Sequence, residues 1–194
     1  MLSEIYSDKR FLLASKSPRR QELLKGLGID FEIVSIEADE SYPTHLVREK
    51  ITEFISKSKS NAFRQLDTDE ILITADTLVW LNNKILGKPK TYQEAFEMLT
   101  QLSDSTHEVF TSVTVKSIRN QMTFSDSTKV SFSPISEDEI HFYIENFQPF
   151  DKAGAYGIQE WIGFAKILGI QGCYYNVMGL PLQKLYSTLE SNEF

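Results

Sequence analysis

The chain has 194 residues, of which 41% are hydrophobic and 12% aromatic, enough apolar side chain to form a core and to exclude global disorder. Its formal net charge of −7 argues against binding of a nucleic-acid polymer, and no apolar run approaches the roughly 20 residues that a membrane-spanning helix needs. The first ten residues lack the apolar stretch of a signal peptide and Cys173 is the single cysteine, so we expect a cytoplasmic protein without an internal disulfide.

Short apolar runs alternate with turn residues in the first half of the chain. Ser17 suits the N-cap of a helix, and Pro18 suits its first position. Asn82-Asn83 predicts the turn of a hairpin. The pattern predicts strands at 11–14, 31–34, 71–75, 77–80 and 85–86. It also predicts a helix from 18 that ends at Gly26 or Gly28, and a second helix from about 44 to 66.

Two capping-box patterns predict helix starts in the second half, one at 91–94 and one at 136–139. Residues 108–118 and 121–132 read as two strands around Arg119-Asn120. After the glycine-bearing segment 153–157 we expect two further strands, and then a terminal helix that begins at Leu180-Pro181. No repeat and no linker composition interrupts the chain, so we expect a mixed α/β fold in a single domain spanning 1–194.

A candidate anion site lies between the first strand and the first helix, where Ser15 precedes a helix that carries Arg19 and Arg20 in its first turn. The N–H groups and the dipole of a helix N-terminus favour an anion, whereas two cations there are otherwise unfavourable. Guanidinium groups bind phosphate oxygens in a bidentate manner. The alternative is a pair of solvent-exposed arginines on an ordinary turn. The P-loop pattern G-x-x-x-x-G-K-[ST] is absent.

Candidate acids stand at Glu40, in an acidic loop beside Asp39, and at Asp76, directly after an apolar strand. A carboxylate at the end of such a strand can hold Mg²⁺ or activate water. Because Mg²⁺ needs only one or two carboxylates besides substrate phosphates, this small set is sufficient. A solvated loop is the alternative for Glu40, whereas Asp76 beside a buried strand needs a partner or a function.

Two lysines could neutralise phosphate charge: Lys88, in a rigid Gly-Lys-Pro turn, and Lys59, on the long predicted helix. A solubilising surface position is the alternative for either one. The histidines, His45, His107 and His141, have no metal-ligand spacing, which favours structural or surface roles.

Seven segments together resemble one family, the Maf-like nucleoside triphosphate pyrophosphatases, which are related to the inosine triphosphatase fold group. They occur in the family's order and approximate spacing over about 11–185. The matching segments are LASKSPRRQELL at 13–24, Asp39-Glu40, ADTLV at 75–79, GKP at 87–89, HEVFT at 107–111, DKAGAYGIQ at 151–159 and NVMGLPL at 176–182.

The resemblance implies a curved mixed β-sheet flanked by helices as two lobes around a central cleft. It also implies a homodimer and a divalent metal cation, Mg²⁺ or Mn²⁺. In this family Asp76 would be the catalytic proton acceptor and, with Glu40, a metal ligand; sequence does not separate these two roles of Asp76. The phosphate-binding residues implied are Ser15, Arg19, Arg20, Lys59 and Lys88.

Within the family, the motifs SPRR, ADT and AGAYGIQ resemble the group that acts on dTTP and UTP, with Arg19, Thr77 and Gln159 expected to select the base. A glutamine can offer both a donor and an acceptor to a pyrimidine edge, or it can be a structural amide. The chain departs from the family at Ser112, at Cys173 and in the segment that begins at Glu160. The alternatives are a pyrophosphatase for modified or other nucleotides and a nucleotide-binding regulator of cell division.

Overall fold

The computed structural model describes residues 2–191 and 193–194, and it confirms the mixed α/β prediction. The helices are α1 (Leu2–Ile5), α2 (Pro18–Gly26), α3 (Glu49–Ala62), α4 (Tyr92–Leu102), α5 (Glu137–Phe147), α6 (Trp161–Lys166), α7 (Tyr174–Met178) and α8 (Leu182–Glu190). The strands are β1 (Arg10–Leu13), β2 (Phe31–Ile33), β3 (Glu70–Leu81), β4 (Lys84–Leu86), β5 (Thr106–Lys116), β6 (Gln121–Phe132) and β7 (Ile167–Gln171). No helix in this part of the chain is both long and apolar enough to traverse a bilayer.

Within the described residues the strands form a seven-stranded mixed sheet in the order β2-β1-β3-β5-β6-β7, with β4 paired to β3. Strand β1 runs parallel to β2 and to β3, whereas β4 is antiparallel to β3 and β7 is antiparallel to β6. The chain divides into two compact units: unit 1 comprises Met1–Asp76, Thr111–Asp126 and Gly179–Phe194, and unit 2 comprises Thr77–Phe110 and Ser127–Met178.

The core of unit 1 forms around the parallel strands. Leu12 of β1 and Leu72 of β3 pack with Leu66 and with the partly buried Phe63. A continuous apolar run is what a strand buried on both faces requires, which explains why these two strands were predictable from sequence.

Helix α3 is shorter at both ends than the predicted 44–66. It begins after Arg48, whose φ of 52° is not helical, and it ends before Phe63, which is extended. The buried face of α3 is partly polar: Thr52 and Ser56 are fully buried and share hydrogen bonds with Ser112 (2.6 Å) and Thr114 (3.1 Å) of β5. The spacing of apolar residues alone predicted a helix that is too long at both ends, because part of the buried face of α3 is polar.

The predicted strand 71–75 and the first arm of the hairpin are one continuous strand in the structure, β3. Residues Glu70 to Ile73 of β3 pair with β1, with Glu70 opposite Arg10. From Val79 onward β3 pairs with β4. The predicted hairpin is confirmed, since Asn82 and Asn83 have φ of 49° and 60°, the left-handed conformation of a tight two-residue turn. Asp76 is therefore inside a strand and not at its end.

The core of unit 2 contains the buried faces of α4 and α5. Ser136 and Glu139 form the complete predicted capping box at the start of α5. At α4, Thr91 accepts from the Glu94 N–H as predicted, but the Glu94 carboxylate accepts from Lys90 N instead of closing the box.

Of the two strands predicted after 153–157, the structure contains one, β7. A helix, α6, and one strand, β7, occupy 161–171, and a second helix, α7, follows. Helix α6 contributes Ile162 to the core of unit 2, so tertiary packing overrides the local strand pattern here.

Candidate active site

The residues of the predicted anion site lie in and after the turn between β1 and α2. Ser15 is buried, and its Oγ accepts from the Ser17 N–H (3.2 Å), while Gln21 Nε2 donates to the Ser15 carbonyl (3.2 Å). Ser17 is the N-cap of α2, but its side chain makes no capping hydrogen bond. The Ser17 hydroxyl therefore does not cap α2, whose dipole favours an anion at this end.

Arg20 joins this turn to the strand that carries Asp76. Its Nη1 donates to the Ala75 carbonyl (2.9 Å), and its Nε donates to the Gly179 carbonyl (2.8 Å). The pKa of Arg20 is lowered, chiefly because the guanidinium is buried. The Asp76 and Glu40 carboxylates oppose this shift, and Arg19 adds to it. The guanidinium stays charged, since arginine does not deprotonate in proteins. Two of its donors are used by backbone, so Arg20 orients the turn as well as adding positive charge.

Three predicted residues of unit 1 meet at one point. Lys59 Nζ lies 2.8 Å from Glu40 Oε1 and 2.9 Å from Asp76 Oδ1. The side chains of Lys59 and Asp76 are each 16% exposed, whereas that of Glu40 is 61% exposed. Lys59 is predicted from sequence to bind phosphate, and in the structure its ammonium bridges the two predicted metal ligands.

The position of Asp76 follows from strand pairing. The parallel register of β1 with β3 ends at Leu13 and Ile73, and antiparallel pairing with β4 begins at Val79. Asp76 lies between these two ladders, in the part of β3 next to the end of β1. The chain that leaves β1 enters the Ser15 turn, which explains why Arg20 reaches the carbonyl of Ala75.

The donor set is compatible with a magnesium-type ion. Glu40 and Asp76 already converge on one cation, the Lys59 ammonium, and both offer the oxygen ligands that Mg²⁺ and Mn²⁺ prefer. In residues 2–191 and 193–194 no group of three His, Cys, Asp or Glu side chains could hold a metal ion. Such a pair suits an ion that shares its coordination with substrate phosphates, and it does not suit a structural metal site.

The remaining predicted residues belong to unit 2. Thr77 follows Asp76 in β3 and is partly buried, while Lys88 is exposed in the turn after β4. The Gly87 carbonyl accepts from Gly154 N (3.0 Å), which ties this turn to the glycine-bearing segment. Gln159 lies in that segment's continuation, and its Oε1 is buried without a hydrogen-bond partner in the part of the chain that the structure describes.

Sequence reasoning missed the residues that surround Gln159. Tyr143 of α5 contacts Gly157 and Glu160, and Lys152 contacts Glu160. The only sequence signal for these residues was Glu160, which lies where the chain begins to differ from the family pattern. Nothing in the sequence indicated a contact between Glu160 and α5.

Comparison with known proteins gives consistent matches over nearly the whole chain. The dTTP/UTP pyrophosphatase of Bacteroides thetaiotaomicron is 48% identical over 183 residues, 93% of this chain and 95% of that protein. The dTTP/UTP pyrophosphatase of Flavobacterium johnsoniae is 48% identical over 190 residues, 97% of this chain and 98% of that protein. A solved structure titled as a HAM1 protein from Coxiella burnetii aligns with a TM-score of 0.48 and 14% identity, covering 94% of this chain and 99% of that one. The family model described as Maf-like protein matches residues 10–192, and this chain therefore belongs to the Maf-like protein family.

Proposed function

We propose that this protein is a nucleoside triphosphate pyrophosphatase that hydrolyses dTTP and UTP to the nucleoside monophosphate and pyrophosphate. The observation that carries the proposal is the convergence of Glu40, Lys59 and Asp76 beside the Arg20 turn. Relatives with 48% identity over nearly their full length bear the name dTTP/UTP pyrophosphatase, which supports the same reaction and the same substrates.

In the proposed reaction a water molecule attacks the α-phosphorus in line with the bond to the β-phosphate. Its oxygen becomes bonded to the α-phosphorus, the bridging P–O bond breaks, and pyrophosphate leaves. Asp76 accepts the proton of the water. Lys59, 2.9 Å from Asp76 Oδ1, holds that carboxylate in position.

Cationic and polar groups bind the triphosphate in this proposal. Ser15 and Arg19 lie at the N-terminus of α2, where helix N–H groups favour phosphate. Arg20 contributes charge from its anchored position, and Lys88 contributes an exposed ammonium. Positioning and electrostatic stabilisation do most of the work in phosphoryl chemistry, so a set of oriented cations is sufficient for this role.

We also propose a Mg²⁺ or Mn²⁺ cofactor held by Glu40 and Asp76. When bound, such an ion neutralises charge on phosphate oxygens and polarises the reacting phosphate. The contact of both carboxylates with the Lys59 ammonium supports this assignment, because the same carboxylate oxygens can coordinate a divalent cation.

For the base we propose recognition by Arg19, Thr77 and Gln159. The buried Oε1 of Gln159 supports this role, because an acceptor without a partner is unfavourable unless a ligand supplies the donor. Thymine and uracil carry an N–H group at position 3 that can fill it.

We further propose a cytoplasmic homodimer. Support for self-association comes from unit 2, where Phe164 and Leu168 are 77% and 73% exposed and Ile170 is 40% exposed. These residues lie on α6 and on β7, which is the last strand in the order of the sheet. Exposed apolar side chains on an edge strand are commonly covered by another chain.

The proposed function is tested with a panel of dTTP, UTP, CTP, GTP and modified triphosphates in the presence of Mg²⁺ or Mn²⁺. We expect release of pyrophosphate, with dTTP and UTP as the preferred substrates. Release of orthophosphate would contradict the reaction, and preference for modified nucleotides would contradict the substrate assignment. Binding without turnover would instead indicate a nucleotide-binding regulator.

A further inference from the structure

A tight turn carries Gln159. The Glu160 N–H donates to the Gly157 carbonyl (3.0 Å), which places Ile158 and Gln159 at the two central positions. The Glu160 carbonyl then accepts from Gly163 N (2.8 Å), so the turn continues directly into α6. A Cβ atom at Gly163 would lie 1.8 Å from the Ile158 carbonyl oxygen, which requires glycine at that position.

The hydroxyl of Tyr143 bridges both ends of this turn. It accepts from the Gly157 N–H (2.9 Å) and donates to Glu160 Oε2. Tyr143 is fully buried on α5 and belongs to the core of unit 2. One hydroxyl on a rigid helix therefore fixes the residue before and the residue after the Ile158-Gln159 pair.

A buried lysine holds the other oxygen of the same carboxylate. Lys152 Nζ lies 3.1 Å from Glu160 Oε1 and 2.8 Å from Asp151 Oδ1, and its side chain is 9% exposed. The Glu160 carboxylate lies directly against Gly157, since a Cβ atom there would be 2.7 Å from Glu160 Cδ. Both carboxylate oxygens are thus engaged, and the carboxylate has no room to move toward Gly157.

We propose that Tyr143, Lys152 and Glu160 are positioning residues that fix the Gln159 turn so that its buried Oε1 selects a base with an N–H group at position 3. This inference rests on the proposed function, in which Gln159 contacts the base. Thymine and uracil present a donor at position 3, whereas cytosine presents an acceptor. A rigid acceptor discriminates between the two because a mismatched base leaves buried polar atoms unpaired, whereas a mobile side chain can turn away.

The test measures equilibrium binding of α,β-imido-dUTP and α,β-imido-dCTP, which differ at this edge of the base and are not cleaved at the α–β position. The variants are Y143F, E160Q and Q159A, with Y143F also made in the Q159A background. E160Q keeps the size of the side chain, so it remains informative if Y143F folds poorly. The matched control is E139Q, which removes a carboxylate paired with Lys166 in the first turn of α5 and keeps a side-chain oxygen for the capping box at Ser136. Circular dichroism and thermal melting verify that each variant is folded.

We expect wild-type protein and E139Q to prefer the dUTP analogue, and Y143F and E160Q each to reduce that preference about tenfold, the effect of losing one hydrogen bond to a charged group. Y143F should change nothing further in the Q159A background, because both act through one side chain. Equal weakening of both analogues, an unchanged preference in Y143F and E160Q, or an additional loss in the Q159A background would overturn the inference. A failure of the proposed function appears separately, as wild-type protein that does not hydrolyse dTTP or UTP.

Discussion

At the scale of single residues, the site depends on one lysine between two carboxylates. Lys59 and Asp76 are mostly buried and Glu40 is mostly exposed, although both carboxylates lie within 2.9 Å of the Lys59 ammonium. Asp76 is therefore the better shielded of the two acids. Glu40, on a loop, has more freedom to adjust to a cation.

Replacing Asp76 by Asn removes the proton acceptor but keeps the size of the side chain. We expect kcat to fall by at least about 100-fold, the usual contribution of a general base, with an unchanged circular dichroism spectrum. The matched control is D69N, which removes a carboxylate paired with Arg10 just before the same strand and should retain activity. Wild-type turnover by D76N would reject the assignment of Asp76.

His107 gives the protein a defined acid sensitivity. It is 1% exposed, its Nε2 lies 2.7 Å from the Tyr156 hydroxyl, and its Nδ1 has no partner among the residues described. Burial lowers its pKa from 6.5 to about 4, so the folded state holds a neutral ring while the unfolded state takes up a proton. Stability is then fully present above pH 6.5 and falls as the pH decreases toward 4, by about 3 kcal/mol in total.

We expect H107Q to reduce this slope in urea unfolding measured between pH 6.5 and 4, although it lowers stability at neutral pH. H141Q, at an exposed histidine, is the matched control. An equal slope in H107Q and wild-type protein would show that His107 is not the group responsible.

At the scale of secondary-structure elements, α3 is held to β5 by paired hydroxyls. Thr52 and Ser112 share a 2.6 Å hydrogen bond, and Ser112 also pairs with Ser125 (3.0 Å). Ser112 is one of the positions where the chain departs from the family resemblance, and its hydroxyl is accommodated by these two partners. Since α3 carries Lys59, this contact helps to determine where the lysine lies.

A double-mutant cycle tests this contact. We expect T52V and S112A each to lower the free energy of unfolding by about 1 kcal/mol, and the double variant to lose less than the sum, because both remove the same hydrogen bond. T100V is the matched control, since the exposed Thr100 hydroxyl donates to the Phe96 carbonyl in its own helix. Strictly additive losses, measured by chemical denaturation, would show that the two hydroxyls are not coupled.

Elements with local signals were predictable from sequence, and elements defined by distant partners were not. The apolar run of β1, the Asn82-Asn83 hairpin and the capping box at Ser136 depend on neighbouring residues alone. The continuation of β3 through Asp76 depends on a change of pairing partner, from β1 to β4. Likewise, the residues of the Ser15 turn are recognisable from a local motif. The contact of Lys59 with both carboxylates is not, because it brings together a loop, a helix and a strand that are distant in sequence.

At the scale of the whole molecule, the proposed homodimer should depend on the exposed apolar residues of α6 and β7. We expect wild-type protein to elute as a dimer in size-exclusion chromatography with light scattering, and L168E to shift it toward the monomer. I118E is the matched control, because Ile118 is also exposed (49%) but lies in the turn between β5 and β6. A monomeric wild-type protein would contradict the dimer, and a dimeric L168E would place its interface elsewhere.

In the proposed reaction, water attacks the α-phosphorus of the triphosphate. This attack is tested most directly by hydrolysing dTTP in water enriched with oxygen-18 and determining by mass spectrometry which product carries the label. The proposed reaction predicts one labelled oxygen in the thymidine monophosphate and none in the pyrophosphate. Label in the pyrophosphate would mean attack at the β-phosphorus, and release of orthophosphate would mean cleavage of a different bond; either result would contradict the account.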